Sequence, residues 1–236
     1  MSEPRKTGRL YLIPSFLGEN DNAIIPDQVR NVVNELHHFI VEDARTARRY
    51  LRAIGYKKNF DTEVSIQELD KHGSNHAKQL LAPIESGHDI GIISEAGNPC
   101  IADPGYEIVS YAHIRGYQVS PLVGPSSILL ALVASGFSGQ QFSFHGYLPI
   151  QSADRARKLK QLEDAAKRGG TQIFMETPFR NDAMLRDALQ HLSADTKLCV
   201  ACDLTLPAEY IATKKISDWR RQVPELHKRY CIFLIG

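Results

Sequence analysis

No segment of this chain approaches the roughly 20 consecutive apolar residues that a membrane-spanning helix needs. Its opening residues, MSEPRKTGRLYLIP, hold no apolar core followed by a cleavage site. A cytoplasmic protein without membrane contact is therefore expected. Other absences remove whole classes of chemistry. Neither Gly-Lys-Ser nor Gly-Lys-Thr occurs, so a Walker loop is excluded, and G-x-S-x-G and G-x-G-x-x-G are missing as well. Nucleotide hydrolysis, α/β-hydrolase chemistry and a standard dinucleotide site are all disfavoured. Cysteine is scarce: Cys100, Cys199, Cys202 and Cys231 are the four. Cys199 and Cys202 have Cys-x-x-Cys spacing but sit in KLCVACD, which reads as a strand. Residues three apart on a strand face opposite ways, so buried structural thiols are expected and a shared metal is not. His72 and His76 are four apart, but Gly73 lies between them and no third ligand follows, so no metal is assigned. Excess charge is lacking too. Twenty-eight basic against 27 acidic residues give a net charge of +1, so bulk charge points to no partner.

What is present is ordinary globular composition, 43% hydrophobic and 23% charged over 236 residues, enough for one large domain or two small ones. Apolar runs recur at 10–16, 38–43, 89–94, 117–123, 141–147, 171–177, 197–203, 209–215 and 229–236. Helical spacing fills 27–37, 43–54, 74–86, 105–115, 126–135, 154–168 and 179–192. The alternation means an α/β architecture. The early sheet should be mainly parallel. The later strands crowd together without helices between them, which suggests antiparallel additions and a mixed sheet. A boundary at Leu122-Val123-Gly124-Pro125 gives an N-terminal α/β domain at 1–122 and a C-terminal one at 123–236.

In open α/β sheets, ligands bind beyond the carboxyl ends of the strands, and the unusual residues of this chain fall there. Pro14-Ser15 ends the first strand and Glu42-Asp43-Ala44-Arg45 the second. Ser94 to Pro99, Gly124-Pro125-Ser126-Ser127 and Met175-Glu176-Thr177-Pro178 follow three others. Three carboxylates directly after buried strands, Glu42, Asp43 and Glu95, need a partner or a function. Asp103-Pro104-Gly105 reads as a helix start with Asp103 as N-cap and Pro104 at the first position. Arg45, Arg48, Arg49 and Arg52 recur on one helix face, and Arg155, Arg157, Lys158 and Lys160 form a second basic cluster. Each is either a solvated helix face or a phosphate track.

In this order the segments resemble the ribosomal small-subunit methyltransferase I family, within the tetrapyrrole (corrin/porphyrin) methylase superfamily. GRLYLIPSF resembles the opening strand, VEDAR the acidic Ala-Glu-Asp-Thr-Arg block, and SEAGNPCIADPGY the Ser-Asp-Ala-Gly-Thr-Pro…Ser-Asp-Pro-Gly block. GPSSILLALVASGF, FSFHGYLP and METPFR match the helix entrance and two later segments. The resemblance implies a two-domain tetrapyrrole-methylase-like (class III methyltransferase) fold, usually a homodimer, with S-adenosyl-L-methionine in the interdomain cleft. It places cofactor contacts at Glu95, Gly97, Pro99, Ile101, Ser126, Ser127 and Met175, with a position near Cys202 to Thr205 closing the pocket. It also implies rRNA or the small ribosomal subunit as partner. Ser15, Arg45, Arg48 and Arg52 then fall to the substrate side; the candidates for deprotonating a ribose 2′-hydroxyl are Asp43 and Glu42 first, with Asp103 and Glu176 beside them. The chain departs from the family pattern in places: Phe16-Leu17-Gly18-Glu19 replaces Pro-Ile-Gly-Asn on the substrate side of the first loop, Glu95 replaces an Asp in the cofactor block, Lys71-His72 replaces His-Asn, and Cys202 to Leu206 loses two basic residues. A small-molecule methyltransferase and a non-catalytic cofactor-binding module remain the alternatives.

Overall fold

The structure is a computed structural model that describes residues 7–18, 22–69 and 77–236. Glu19, Lys71, His72, Gly73 and His76 lie outside the described residues. The chain divides into two compact units, Met1–Ser126 and Ser127–Gly236.

The first unit is built on β1 (Arg9–Ile13), β2 (His38–Val41), β3 (Ser65–Glu68), β4 (Ile90–Ile93) and β5 (Gln118–Pro121). Every pairing is parallel, in the order β3-β2-β4-β1-β5. Parallel neighbours need crossover connections, and here α1 (Asp27–Glu35), α2 (Ala44–Ala53), α3 (Ala77–Leu80), α4 (Ala82–Glu85) and α5 (Tyr106–Ile114) supply them. Side chains alternate between two cores. Ile13, Phe39 and Val41 pack with Val29, Val33 and Leu51 on one face. Leu10, Ile40 and Ile92 pack with Leu81, Ile84 and Ile108 on the other. The central strand β4, Ile-Gly-Ile-Ile, is buried at all positions, as a parallel strand covered on both faces must be.

Two sequence expectations change. β3 is absent from the apolar runs because an edge strand reading Ser-Ile-Gln-Glu carries a single apolar residue, Ile66. Within 77–86 the expected helix is broken into α3 and α4, since Pro83 supplies no N–H and its ring collides with the carbonyl four residues back.

The second unit runs α6 (Ser127–Ser135), β6 (Phe142–Tyr147), α7 (Ser152–Lys167), β7 (Thr171–Glu176), α8 (Asn181–His191), β8 (Lys197–Cys202), β9 (Tyr210–Lys215), α9 (Ile216–Trp219) and β10 (Cys231–Ile235). Its sheet is mixed, in the order β6-β7-β10-β8-β9, with only β6 and β7 parallel. The last strand inserts at the centre, and all five residues of Cys-Ile-Phe-Leu-Ile are buried there. Trp219 is fully buried and donates its indole N–H to the Leu198 carbonyl at 2.9 Å. Cys199 and Cys202 both lie on β8, and the neighbour of Cys202 is Cys231 on β10, with the sulfurs 2.7 Å apart.

Charged groups are folded into this unit. Arg155 is 6% exposed, pairs with Asp187 at 2.5 Å and donates to the carbonyls of Pro149 and Ile150. Glu163 is 1% exposed and accepts from the Ser193 N–H at 2.7 Å, from Lys160 at 3.0 Å and from Thr196 Oγ1. Burial alone would push the Glu163 carboxyl up, but the bonds from Thr196, Ser193 and Lys160 outweigh it and hold the pKa at about 2, below the usual 4.5. A depressed carboxyl stabilises the fold above its unfolded pKa, and that stabilisation is lost as pH falls through the folded value. Glu163→Gln should therefore cost about 2–3 kcal/mol at neutral pH. In denaturant titrations the gap from wild type should narrow as pH falls from 4.5 towards 2. A gap constant with pH would show that the carboxylate charge contributes nothing.

Candidate functional site

At the carboxyl edge of the first sheet, the loops after β1 and β4 are fastened by two reciprocal bonds. Ser15 N–H donates to Gly97 O at 2.8 Å, and Gly97 N–H to Phe16 O at 3.2 Å. Asn98 Nδ2 reaches Pro125 O at 3.1 Å, which brings in the loop after β5. The loop after β2 joins through its carboxylates: Glu42 Oε1 accepts from Glu95 N–H at 3.3 Å, and Thr46 Oγ1 donates to Glu95 Oε1 at 2.6 Å. Ser15, Glu42, Asp43, Glu95, Gly97 and Pro99 are thus gathered on one edge.

Their environments differ. Asp43 is exposed and is the N-cap of α2, accepting from Thr46 N–H at 2.8 Å. That bond holds its carboxyl below the ordinary range. Asp103 is half-buried, and burial first, then the charges of Glu42 and Glu95, push it up to about 6. It does not cap α5. The N-cap is Gly105, and the helix starts at Tyr106 because Cys100, Ala102 and Gly105 all have left-handed φ (68°, 62° and 118°). The loop stays out of the helical region until then. The capping reading of Asp103 is thus overturned, while its place among the candidate bases stands.

Ile101 is 47% exposed. Ser126 is the last residue of the first unit, while Ser127 opens α6 and Met175 is the fifth residue of β7, both in the second. Arg45, Arg48 and Arg52 are exposed on α2. Two are already engaged, with the Arg52 guanidinium 4.2 Å and that of Arg48 5.6 Å from the Phe60 ring centroid. Arg52 also donates to Tyr56 O at 2.6 Å. Among the described residues no group of three or more His, Cys, Asp or Glu side chains could hold a metal ion.

The family model for tetrapyrrole (corrin/porphyrin) methylases matches residues 23–219. The chain belongs to this family. It is a methyltransferase, and the family implies a methyl donor of the S-adenosylmethionine type. Among curated relatives, a ribosomal RNA small subunit methyltransferase I of Vibrio cholerae is 34% identical over 89% of this chain and 69% of its own length. A protein of the same name in Bacillus subtilis is 31% identical over 97% of this chain and 75% of its own. The solved structure of the methyltransferase CobJ superposes with a TM-score of 0.63 at 16% identity, covering 98% of this chain and 94% of that one, and so shares its fold.

The carboxyl edge of this methylase suits a polar ligand. Ser15 Oγ is buried without a hydrogen-bond partner. Gly97, at φ +71°, lets the loops approach closely: a Cβ there would stand 3.3 Å from Leu17 Cδ2 and 3.6 Å from the Pro125 oxygen. Asn caps a helix about as well as Asp, whereas Ala does not. Asp43→Ala should therefore lower Tm by about 2–4 °C and Asp43→Asn leave it unchanged. If the Asn variant keeps its Tm and full methyl transfer, Asp43 is a cap alone; if it keeps Tm and loses transfer, the carboxylate acts in the chemistry.

Proposed function

We propose that this methylase transfers the methyl group of S-adenosyl-L-methionine to a ribose 2′-hydroxyl of small-subunit rRNA. The observation that carries the reading is the convergence of four strand-end loops around Glu42, Glu95, Gly97 and Asp103. Two relatives, matched over 69% and 75% of their own length, bear a small-subunit rRNA methyltransferase name. In this reading Glu95, Gly97, Pro99, Ile101 and Ser126 hold the cofactor from the first unit. Ser127 and Met175 are carried on the family resemblance. Ser15 and the arginines of α2 serve the substrate. A small-subunit substrate carries with it a cytoplasmic location. A homodimer, readable by light scattering, is supported by the exposed apolar side chains Leu130 and Val133 of α6.

When bound, the sulfonium supplies an electrophilic methyl group, so the protein has to align the hydroxyl and take its proton. The carboxylates of the edge are not equal for that task. Asp43 and Glu42 are the residues that the family motif offers. Asp43 spends its lone pairs on Thr46 and is a weak base, whereas Asp103, at about 6, is ionised at neutral pH yet retains more proton affinity. Asp103 is the proton acceptor that this edge favours.

Two outcomes test the reading. Calorimetry should show S-adenosylmethionine binding to the wild type and none to Gly97→Trp, whose side chain would force apart the close approach to Leu17 and Pro125. Labelled methyl should pass to small ribosomal subunits from a strain lacking this protein and resist alkali as a 2′-O-methyl does. Cofactor binding with no label in RNA would move the reading to a small-molecule acceptor. The second outcome is a pH profile of kcat/KM that rises through about 6 and loses that limb in Asp103→Asn. A wild-type limb that persists unchanged in Asp103→Asn assigns the proton to Glu42 or Asp43.

A further inference from the structure

An RNA substrate needs cations able to meet phosphates, and several of the described basic residues are already engaged. In α7, Arg155 is buried against Asp187 and Lys160 pairs with the buried Glu163. On α2, Arg48 and Arg52 flank Phe60. One place in the second unit is different. The start of β8, the end of the edge strand β9, the end of α6 and the turn after α9 enclose an open concavity of about 680 Å³. Lys197, Lys214, Lys215 and Arg221 line it, with Asp218 as the one carboxylate. Four cations against two carboxylates, the lining Asp218 and the Asp195 that pairs with Lys215, stand out in a chain whose net charge is +1.

We propose that this concavity is a phosphate-binding subsite for the RNA backbone, an inference that rests on the rRNA reading above. Its cations are available. Lys197 has no carboxylate partner among the described residues. Arg221 meets Asp218 only at 3.6 Å, with the arginine side chain 81% exposed, and Lys215 meets an Asp195 that is 90% exposed. Exposed pairs of this kind are worth little in water, so a phosphate can replace the carboxylate at small cost. Lys214 is held more firmly, its ammonium 4.7 Å from the Trp219 ring centroid. Thr213 Oγ1 donates to Ser135 O at 2.7 Å and ties β9 to the end of α6. The C-terminal end of α6 brings a partial negative charge, but about half a unit is outweighed by four full positive ones.

The chemistry also says which phosphate. Apart from Asp218 the lining side chains are cationic, hydroxyl or amide, and Trp219 is fully buried, so no aromatic face is offered for a base to stack on. An open basic wall without stacking surface contacts backbone and leaves sequence unread. The site therefore suits a phosphodiester backbone rather than an enclosed nucleotide.

The test measures the affinity of the full chain for in vitro transcribed small-subunit rRNA against salt, in wild type and in Lys197→Gln with Arg221→Gln. Loss of two phosphate contacts should weaken binding on the order of tenfold and reduce the log–log salt slope by roughly 1.5. The slope should fall equally on an unrelated RNA of the same length, while Tm and S-adenosylmethionine affinity stay unchanged. Lys197→Arg with Arg221→Lys should restore the wild-type slope. If the wild type binds RNA and the double variant binds it with the same slope, the subsite is refuted and the rRNA reading stands. No RNA binding by the wild type removes both. Saturable binding of inorganic phosphate at the concavity that does not compete with RNA overturns the proposal in favour of a free anion.

Discussion

Parallel pairing of the five strands in the first unit puts every carboxyl end on one edge, and the rest of the site follows from that constraint. Each βα connection has to turn there, so the loops after β1, β2, β4 and β5 become neighbours although their residues lie up to about 110 positions apart in sequence. Backbone N–H and C=O groups left free at strand ends need partners. The Ser15–Gly97 and Gly97–Phe16 bonds meet that need by fastening one loop to another. The same crowding raises an electrostatic difficulty. Glu42, Glu95 and Asp103 come close enough that the first two help push the third up to about 6. A purely structural edge would gain by losing one of these charges. On the methyl-transfer reading proposed above, the cluster holds a carboxylate that can accept a proton near neutral pH.

Backbone strain is concentrated in the same places. Cys100 and Ala102 are non-glycine residues in the left-handed region, a conformation that costs an L-residue about 1–2 kcal/mol. Flanking contacts sustain it, because Gly97 is bonded on both sides to the first-strand loop and Asn98 is bonded to Pro125. Asp203 and Thr205 after β8 repeat the pattern in the second unit, with Asp203 held by the Tyr230 N–H at 2.9 Å and by Arg229 at 2.7 Å. Such outliers persist where neighbours over-determine the backbone, and they gather at ligand sites. The family resemblance assigns the first loop to the cofactor and the second to closing the pocket. The strain is consistent with both loops being shaped for something other than stability.

How much of this the sequence discloses depends on burial. Strands covered on both faces, such as Ile90–Ile93 and Cys231–Ile235, read as unbroken apolar runs and are found readily. β3 hides because an exposed edge puts no demand on its residues for apolarity. The capping rule failed at Asp103, where three left-handed residues defer the helix to Tyr106, while Asp43, singled out only as a carboxylate after a buried strand, is the residue that caps α2. Composition could not separate the basic clusters either. Arg155 and Arg157 look alike in sequence, yet one is buried with Asp187 and the other is exposed beside Asp154. The Cys-x-x-Cys spacing drew attention to Cys199 and Cys202, while the actual neighbour of Cys202 is 29 residues further on. Cross-strand partners are fixed by sheet register, which spacing along the chain cannot reveal.

A net charge of +1 carries a last consequence for substrate choice. Strongly basic proteins are steered to any nucleic acid by their long-range field, and beyond a Debye length of about 8 Å at physiological salt that field is largely screened. This chain has almost no such field. Whatever brings RNA to it has to act at contact distance through a few local cations, so affinity depends on shape matching between those cations and the spacing of phosphates. Single-stranded or unstructured RNA, whose phosphates adopt no fixed spacing, would satisfy few of them at once. A folded subunit presents a rigid phosphate pattern and can satisfy several together without paying to order its own backbone. On the rRNA reading proposed above, a nearly neutral methyltransferase is therefore better suited to an assembled, structured target than to nascent RNA.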